Sequence, residues 1–129
     1  MNSARLNELW NELHQKETEL IGIKAGEYAQ DDEKLFNFKS GAALMGCEPY
    51  QVAWAYLTKH IISVQKAAVD GNFNFSWAVK QPDGAYTEGI VQKIVDARNY
   101  LFFILCCLEE SEGKPVSLTT TGMTRTKED

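Results

Sequence analysis

Residues 100–108, YLFFILCCL, form a run with no charged residue inside a segment whose spacing predicts one long helix from Thr87 to Glu112. A helix that is apolar on every side for more than two turns is buried on every side. In a chain this small, that requires either a central position or cover from another subunit. The 87–112 helix is therefore expected to make a dimer or higher homo-oligomer.

Three further helices are predicted. From about Ser3 to Tyr28, Leu6, Leu9, Trp10, Leu13, Leu20 and Ile21 recur at helical steps, interrupted by Glu17, with Ser3 as the N-cap. A second helix, capped by Asp31 or Asp32, runs to Met45 and turns Leu35, Phe38, Ala42 and Met45 inward, with Gly46 as its left-handed stop. Pro49 opens a third helix that ends at Asp70 before Gly71, with Ala53, Leu57, His60, Ile61, Val64 and Ala68 on one stripe.

Between the third and fourth helices, GNFNFSWAVKQPDGAY mixes aromatics with the turn signal Pro82-Asp83-Gly84. The alternation Phe73, Phe75, Trp77, Val79 reads as a short strand packed over the bundle, with an aromatic lid as the second reading. After Gly113-Lys114-Pro115 the periodicity is lost. The predicted architecture is all-α: a four-helix bundle-like domain over 1–112, with an aromatic loop or short hairpin before the last helix, and a flexible, disordered tail over 113–129.

Composition agrees with a single domain of 129 residues, with 44% hydrophobic and 24% charged residues. A net charge of -5 argues against a phosphate-backbone grip, so no extended nucleic acid is expected as partner, although one small nucleotide can still find a local basic pocket. Cys47, Cys106 and Cys107 make neither a disulfide framework nor a metal-binding CxxC, and they read as buried thiols in a reducing compartment. With no apolar signal core at the start and no run long enough for a bilayer, cytoplasmic residence and no membrane partner are expected.

Chemistry concentrates on a few polar residues. Asp96 and Asn99, three apart, share a face of the fourth helix just before its most apolar stretch. A buried carboxylate there demands a cation, a hydrogen-bond donor or a metal. Lys59 and His60, which interrupt the third helix, are the natural partners. As ligand contacts, Lys59 offers a point charge for phosphate and His60 a donor. The bland alternative is a neutral core histidine satisfied by a carbonyl or by Asp96.

Asn37, set between Phe36 and Phe38, and Tyr28 near the junction of the first two helices are further candidates for ligand contact. No catalytic residue can be named. No metal-ligand motif is present, and Glu88 and Asp96 are eight apart with Lys93 between them. The cofactor is unknown, with magnesium expected if the chain is an enzyme. Phosphate loops, GxSxG elbows and HExxH helices are absent.

The segments EYAQDDEKLFNFKSGAALMG, AYLTKHIISV and KIVDARNYLFFI resemble small phage and prophage proteins similar to the nucleotide-modification-associated, MazG-like helical family, over roughly residues 24 to 110. The resemblance implies an oligomeric all-α bundle with polar helix residues around a nucleotide or nucleotide-like small molecule. MazG-like enzymes carry an ExxE and a later ExxD motif, neither complete in the resembling stretch, and only Asp96 matches a carboxylate of the later one. A nucleotide-binding or nucleotide-processing protein is thus the leading expectation, with enzyme status open. The alternative is a non-enzymatic phage counter-defence protein that sequesters a signalling nucleotide or binds a host protein.

Overall fold

A computed structural model describes residues 1–28, 33, 35–71 and 75–119, with side chains excluded for 24–28. The described elements are α1 (Ser3–Tyr28), α2 (Phe36–Met45), α3 (Pro49–Asp70), β1 (Ala78–Lys80), β2 (Tyr86–Glu88) and α4 (Ile90–Glu112). The all-α, bundle-like domain expected from the sequence is what forms. None of the described helices is long and apolar enough to cross a membrane.

The helix stops follow local chemistry. Gly46, Gly71 and Gly113 each take the left-handed conformation that only glycine adopts without strain, and each donates its N–H back to the last turn. At the start of α3, Gln51 Oε1 accepts the Glu48 N–H at 2.8 Å, while Pro49 occupies the first turn, where its missing donor costs nothing.

The core is built where α3 lies along α4, the most extensive helix pair, and α2 closes one side. Leu35, Phe38, Ala42, Val52, Ala53, Leu57, Ala97, Tyr100, Phe103 and Cys107 form one buried cluster. Phe38 meets Phe103 at 5.4 Å between ring centroids and a 49° tilt, the inclined geometry that aromatic quadrupoles prefer. Lys39 ties α2 to α4 and to the segment before α2, its Nζ 2.6 Å from Glu110 and 2.7 Å from Glu33.

Several expectations are corrected. Met45, the last residue of α2 before the Gly46 stop, is 69% exposed rather than inward. Ile61 and Ala68 also face outward, so the buried stripe of α3 is narrower than its apolar stripe. Residues 87 and 88 belong to β2 rather than to the last helix, and α4 begins at Ile90. Phe73, Asp31 and Asp32, the first as a strand residue and the others as caps, lie outside the described residues.

The turn signal performs as expected. Gly84 N–H donates to Gln81 O at 2.9 Å, Asp83 Oδ1 accepts from Ala85 N–H at 2.9 Å, and Gly84 takes a φ of 89°. The resulting antiparallel hairpin pairs Ala78 with Glu88 and Lys80 with Tyr86.

Of the two ways to cover α4, a central position within the chain is not the one that forms. Leu101, Phe102, Leu105 and Leu108 are 53%, 52%, 40% and 38% exposed, so the chain by itself does not surround the apolar run of α4. α1 covers part of it, through the half-buried Leu9, Leu13, Leu20 and Ile21, leaving Leu6 and Trp10 exposed. Glu17, which breaks the apolar stripe of α1, pairs with Arg98 at 3.0 Å, and Arg98 also lies over the Trp10 ring at 4.9 Å. Beyond α4, the Val116 N–H donates to Glu109 Oε1 at 2.8 Å, so the start of the 113–129 segment folds back on its helix.

Candidate functional site

α4 carries Asp96 and Asn99 into the interior, where they are 1% and 3% exposed. Their side chains serve two different neighbourhoods. Asp96 looks toward α3 and the end of the hairpin. One ligand atom from each of His60, Glu88 and Asp96 falls within 4.8 Å of the other two. Asn99 instead lines a cavity of about 230 Å³ between α1 and α4, with His14, Glu17, Thr18, Ile21 and Phe102. Among the described residues its Nδ2 has no hydrogen-bond partner.

Each member of the first group is positioned by its own element. The His60 ring stacks on Tyr100, with centroids 5.1 Å apart and planes inclined by 24°. Tyr100 is one helical turn beyond Asp96, so one stretch of α4 holds both the imidazole and a carboxylate that faces it. Glu88 ends β2, and Gly89 follows with its N–H donated to Trp77 O at 2.8 Å. The hairpin approaches so closely there that a Cβ on Gly89 would stand 1.9 Å from Ser76 O.

The chemistry this allows is metal or proton chemistry. Two carboxylates and an imidazole offer two oxygen donors and one nitrogen donor, a set able to hold a divalent ion and leave positions open. The thiols are poor nucleophiles by comparison. Burial, with Cys106 and Glu110 adding to it, pushes the Cys107 thiol up to about 11, and burial raises Cys106 as well.

Of the residues singled out in the sequence, His60 and Asp96 are brought together, and Asn99 serves the α1 cavity. Lys59 is exposed on α3, Asn37 is half-buried on α2, and the Tyr28 side chain lies outside the described residues. Glu88 was missed as a member of the site because residues 87–96 read as continuous helix, on which it stands two turns from Asp96. The glycine after it was the available signal: Gly89 ends the strand and opens a new helix, which lets the chain fold back. No family model, curated protein or solved structure matches this chain.

Proposed function

We propose that the protein is a phage- or prophage-type, MazG-like helical protein that binds or processes a nucleotide or nucleotide-like small molecule. The observation that carries this reading is the burial of Asp96 and Asn99, one turn apart on α4 just before its uncharged run at 100–108. Polar groups at such a place cost stability unless something satisfies them, and a small polar ligand in the cavity between α1 and α4 would answer to the Asn99 amide. His60 stands beside Asp96. Lys59, exposed next to it in the chain, supplies a positive charge for phosphate in an otherwise acidic protein.

Oligomerisation through α4 belongs to the same reading. The exposed Ile94, Leu101, Leu105 and Leu108 recur at steps of seven, four and three, the spacing of a helix-pairing seam. Arg98 and Glu112 stand seven residues either side of Leu105. An antiparallel pair of α4 helices centred on Leu105 would bring these opposite charges level across the two copies.

The test is thermal unfolding against a panel of nucleoside mono-, di- and triphosphates, with magnesium and with chelator. A rise in Tm for at least one nucleotide is expected through linkage, weakened by Asn99→Ala and Asp96→Asn. No shift with any nucleotide would defeat the reading. The non-enzymatic alternative, a counter-defence protein that sequesters a signalling nucleotide or binds a host protein, draws on the same exposed apolar seam. Nucleotide recovered unaltered from the protein supports it, and multiple turnover defeats it.

A further inference from the structure

We propose that His60, Glu88 and Asp96 bind one divalent first-row transition ion, of the zinc, cobalt or manganese kind, with coordination positions left open for a small ligand. The inference stands on the geometry of the three side chains and does not require the nucleotide reading. They come from three separate elements, α3, β2 and α4, and their ligand atoms lie within 4.8 Å of one another. An ion bound at about 2.0–2.2 Å from each needs donors somewhat closer than that limit. Small side-chain rotations, freest for the exposed Glu88, would supply the difference.

The carboxylates are the informative pair. Glu88 is exposed and free to turn its charge into water, yet its carboxylate stands beside that of Asp96, which is 1% exposed. Like charges share a site when a proton or a cation lies between them. The His60 imidazole completes the set, and a neutral ring presents a lone pair to a metal.

The supports of the three donors make the group a prepared one. Asp96 sits in the packed interior, His60 is stacked on Tyr100, and the close contact of Gly89 with Ser76 holds the strand end that carries Glu88. Ligands held before the ion arrives lose little freedom on binding it. Three protein donors do not saturate any of these ions, and the exposed Glu88 side leaves room for water or a phosphate oxygen.

The donor set also selects the ion. Calcium takes six to eight oxygens and magnesium keeps a near-octahedral shell of oxygen, much of it water. A nitrogen donor in a set of three favours the later transition ions, whose affinities for such sites exceed those of the alkaline earths.

The experiment is calorimetric titration of the full chain, stripped with chelator and freed of any affinity tag, with Zn²⁺, Co²⁺, Mn²⁺ and Mg²⁺, and visible spectroscopy of the Co²⁺ form. One Zn²⁺ or Co²⁺ per chain is expected, bound at least about tenfold more tightly than Mg²⁺. Glu88→Gln and His60→Ala should each weaken it by about tenfold or more and alter the Co²⁺ spectrum. His14→Ala and Cys106→Ser should leave both unchanged. Because Glu88 is exposed, its variant tests the site without endangering the fold.

The proposal is overturned if the chain shows no saturable Zn²⁺ or Co²⁺ binding, as expected of an imidazolium merely held between two carboxylates. It is equally overturned if Mg²⁺ binds as tightly, or if binding survives Glu88→Gln and is lost in His14→Ala or Cys106→Ser. Nucleotide-induced stabilisation in chelator is a separate readout, so either reading can fail alone.

Discussion

His60 and Tyr100 stack across the α3–α4 seam, their centroids 5.1 Å apart, and this contact joins the polar site to the hydrophobic core. Tyr100 is 6% exposed and also meets Tyr56 at 6.1 Å and Phe103 at 6.2 Å. The orientation of the imidazole is therefore set by an aromatic cluster rather than by a loop.

Replacing Tyr100 separates the two duties of that ring. Tyr100→Ala should cost about 3–5 kcal/mol in urea unfolding, the usual loss for a large buried aromatic. Tyr100→Phe keeps the ring and its aromatic contacts and should cost no more than about 1 kcal/mol. If the stack orients His60, the imidazole proton resonances of Tyr100→Phe will stay near their wild-type positions. A wholesale shift of those resonances would mean that the hydroxyl, not the ring, places the histidine.

Gly89→Ala tests how tightly the hairpin is clamped. The φ of Gly89, -81°, suits alanine, so any penalty comes from the added methyl, 1.9 Å from Ser76 O, rather than from the backbone. Because the opposing atom is main chain, the hairpin must shift, and a loss of about 1–3 kcal/mol is expected by thermal unfolding. Gly84→Ala, where a φ of 89° is required but space is open, should cost about 1 kcal/mol and leave Glu88 in place. Equal stability of wild type and Gly89→Ala would show that the close contact yields freely.

The Lys39 bridge predicts how stability changes with pH at both ends of the scale. Hydrogen bonding to Lys39 and to the Leu35 N–H lowers Glu33 from its ordinary 4.5, so its contribution is present above that value and fades as acid protonates the folded carboxyl. Lys39 is raised from 10.5, chiefly by Glu110 and then Glu33, so its contribution is complete below 10.5 and fades as the folded ammonium loses its proton. Cys107 acts in the same direction: its thiol titrates near 9 when unfolded and at about 11 when folded, so stability declines across that interval. Lys39→Met should flatten the acid limb and part of the alkaline limb, and Cys107→Ala only the alkaline one. Denaturation midpoints from pH 3 to 11 measure both, and a Lys39→Met profile parallel to wild type would contradict the assignment.

Leu105→Glu addresses the α4 seam. At 40% exposure the side chain loses little within its own chain, so the monomer fold should persist by circular dichroism. Sedimentation should show a multimer for wild type and a monomer for the variant, since a charge in a paired apolar seam is left desolvated. A monomeric wild type would exclude the pairing.

How much of this was legible in the sequence depends on range. The glycine stops at 46, 71 and 113, the Pro82-Asp83-Gly84 turn and the inward faces of Phe38, Ala53 and Leu57 follow from interactions within a few residues, and those are written in local spacing. Asp96 was visible as a polar group entering an apolar helix, with His60 as a candidate partner. Glu88 was not, because its place depends on a strand that ends at Gly89 and on the packing of that strand against α4.

The apolar run at 100–108 shows the same division. Its hydrophobicity was evident from residue type alone, and so was the need for cover. Which of its sides the chain itself buries was decided only when α1, α2 and α3 took their places. Periodicity states which residues seek burial, but the number and angle of neighbouring helices decide which find it. The same packing turns Asp96 toward His60 and Glu88 and Asn99 toward α1, because residues three apart on a helix differ by about 60° in direction and so can meet different neighbours.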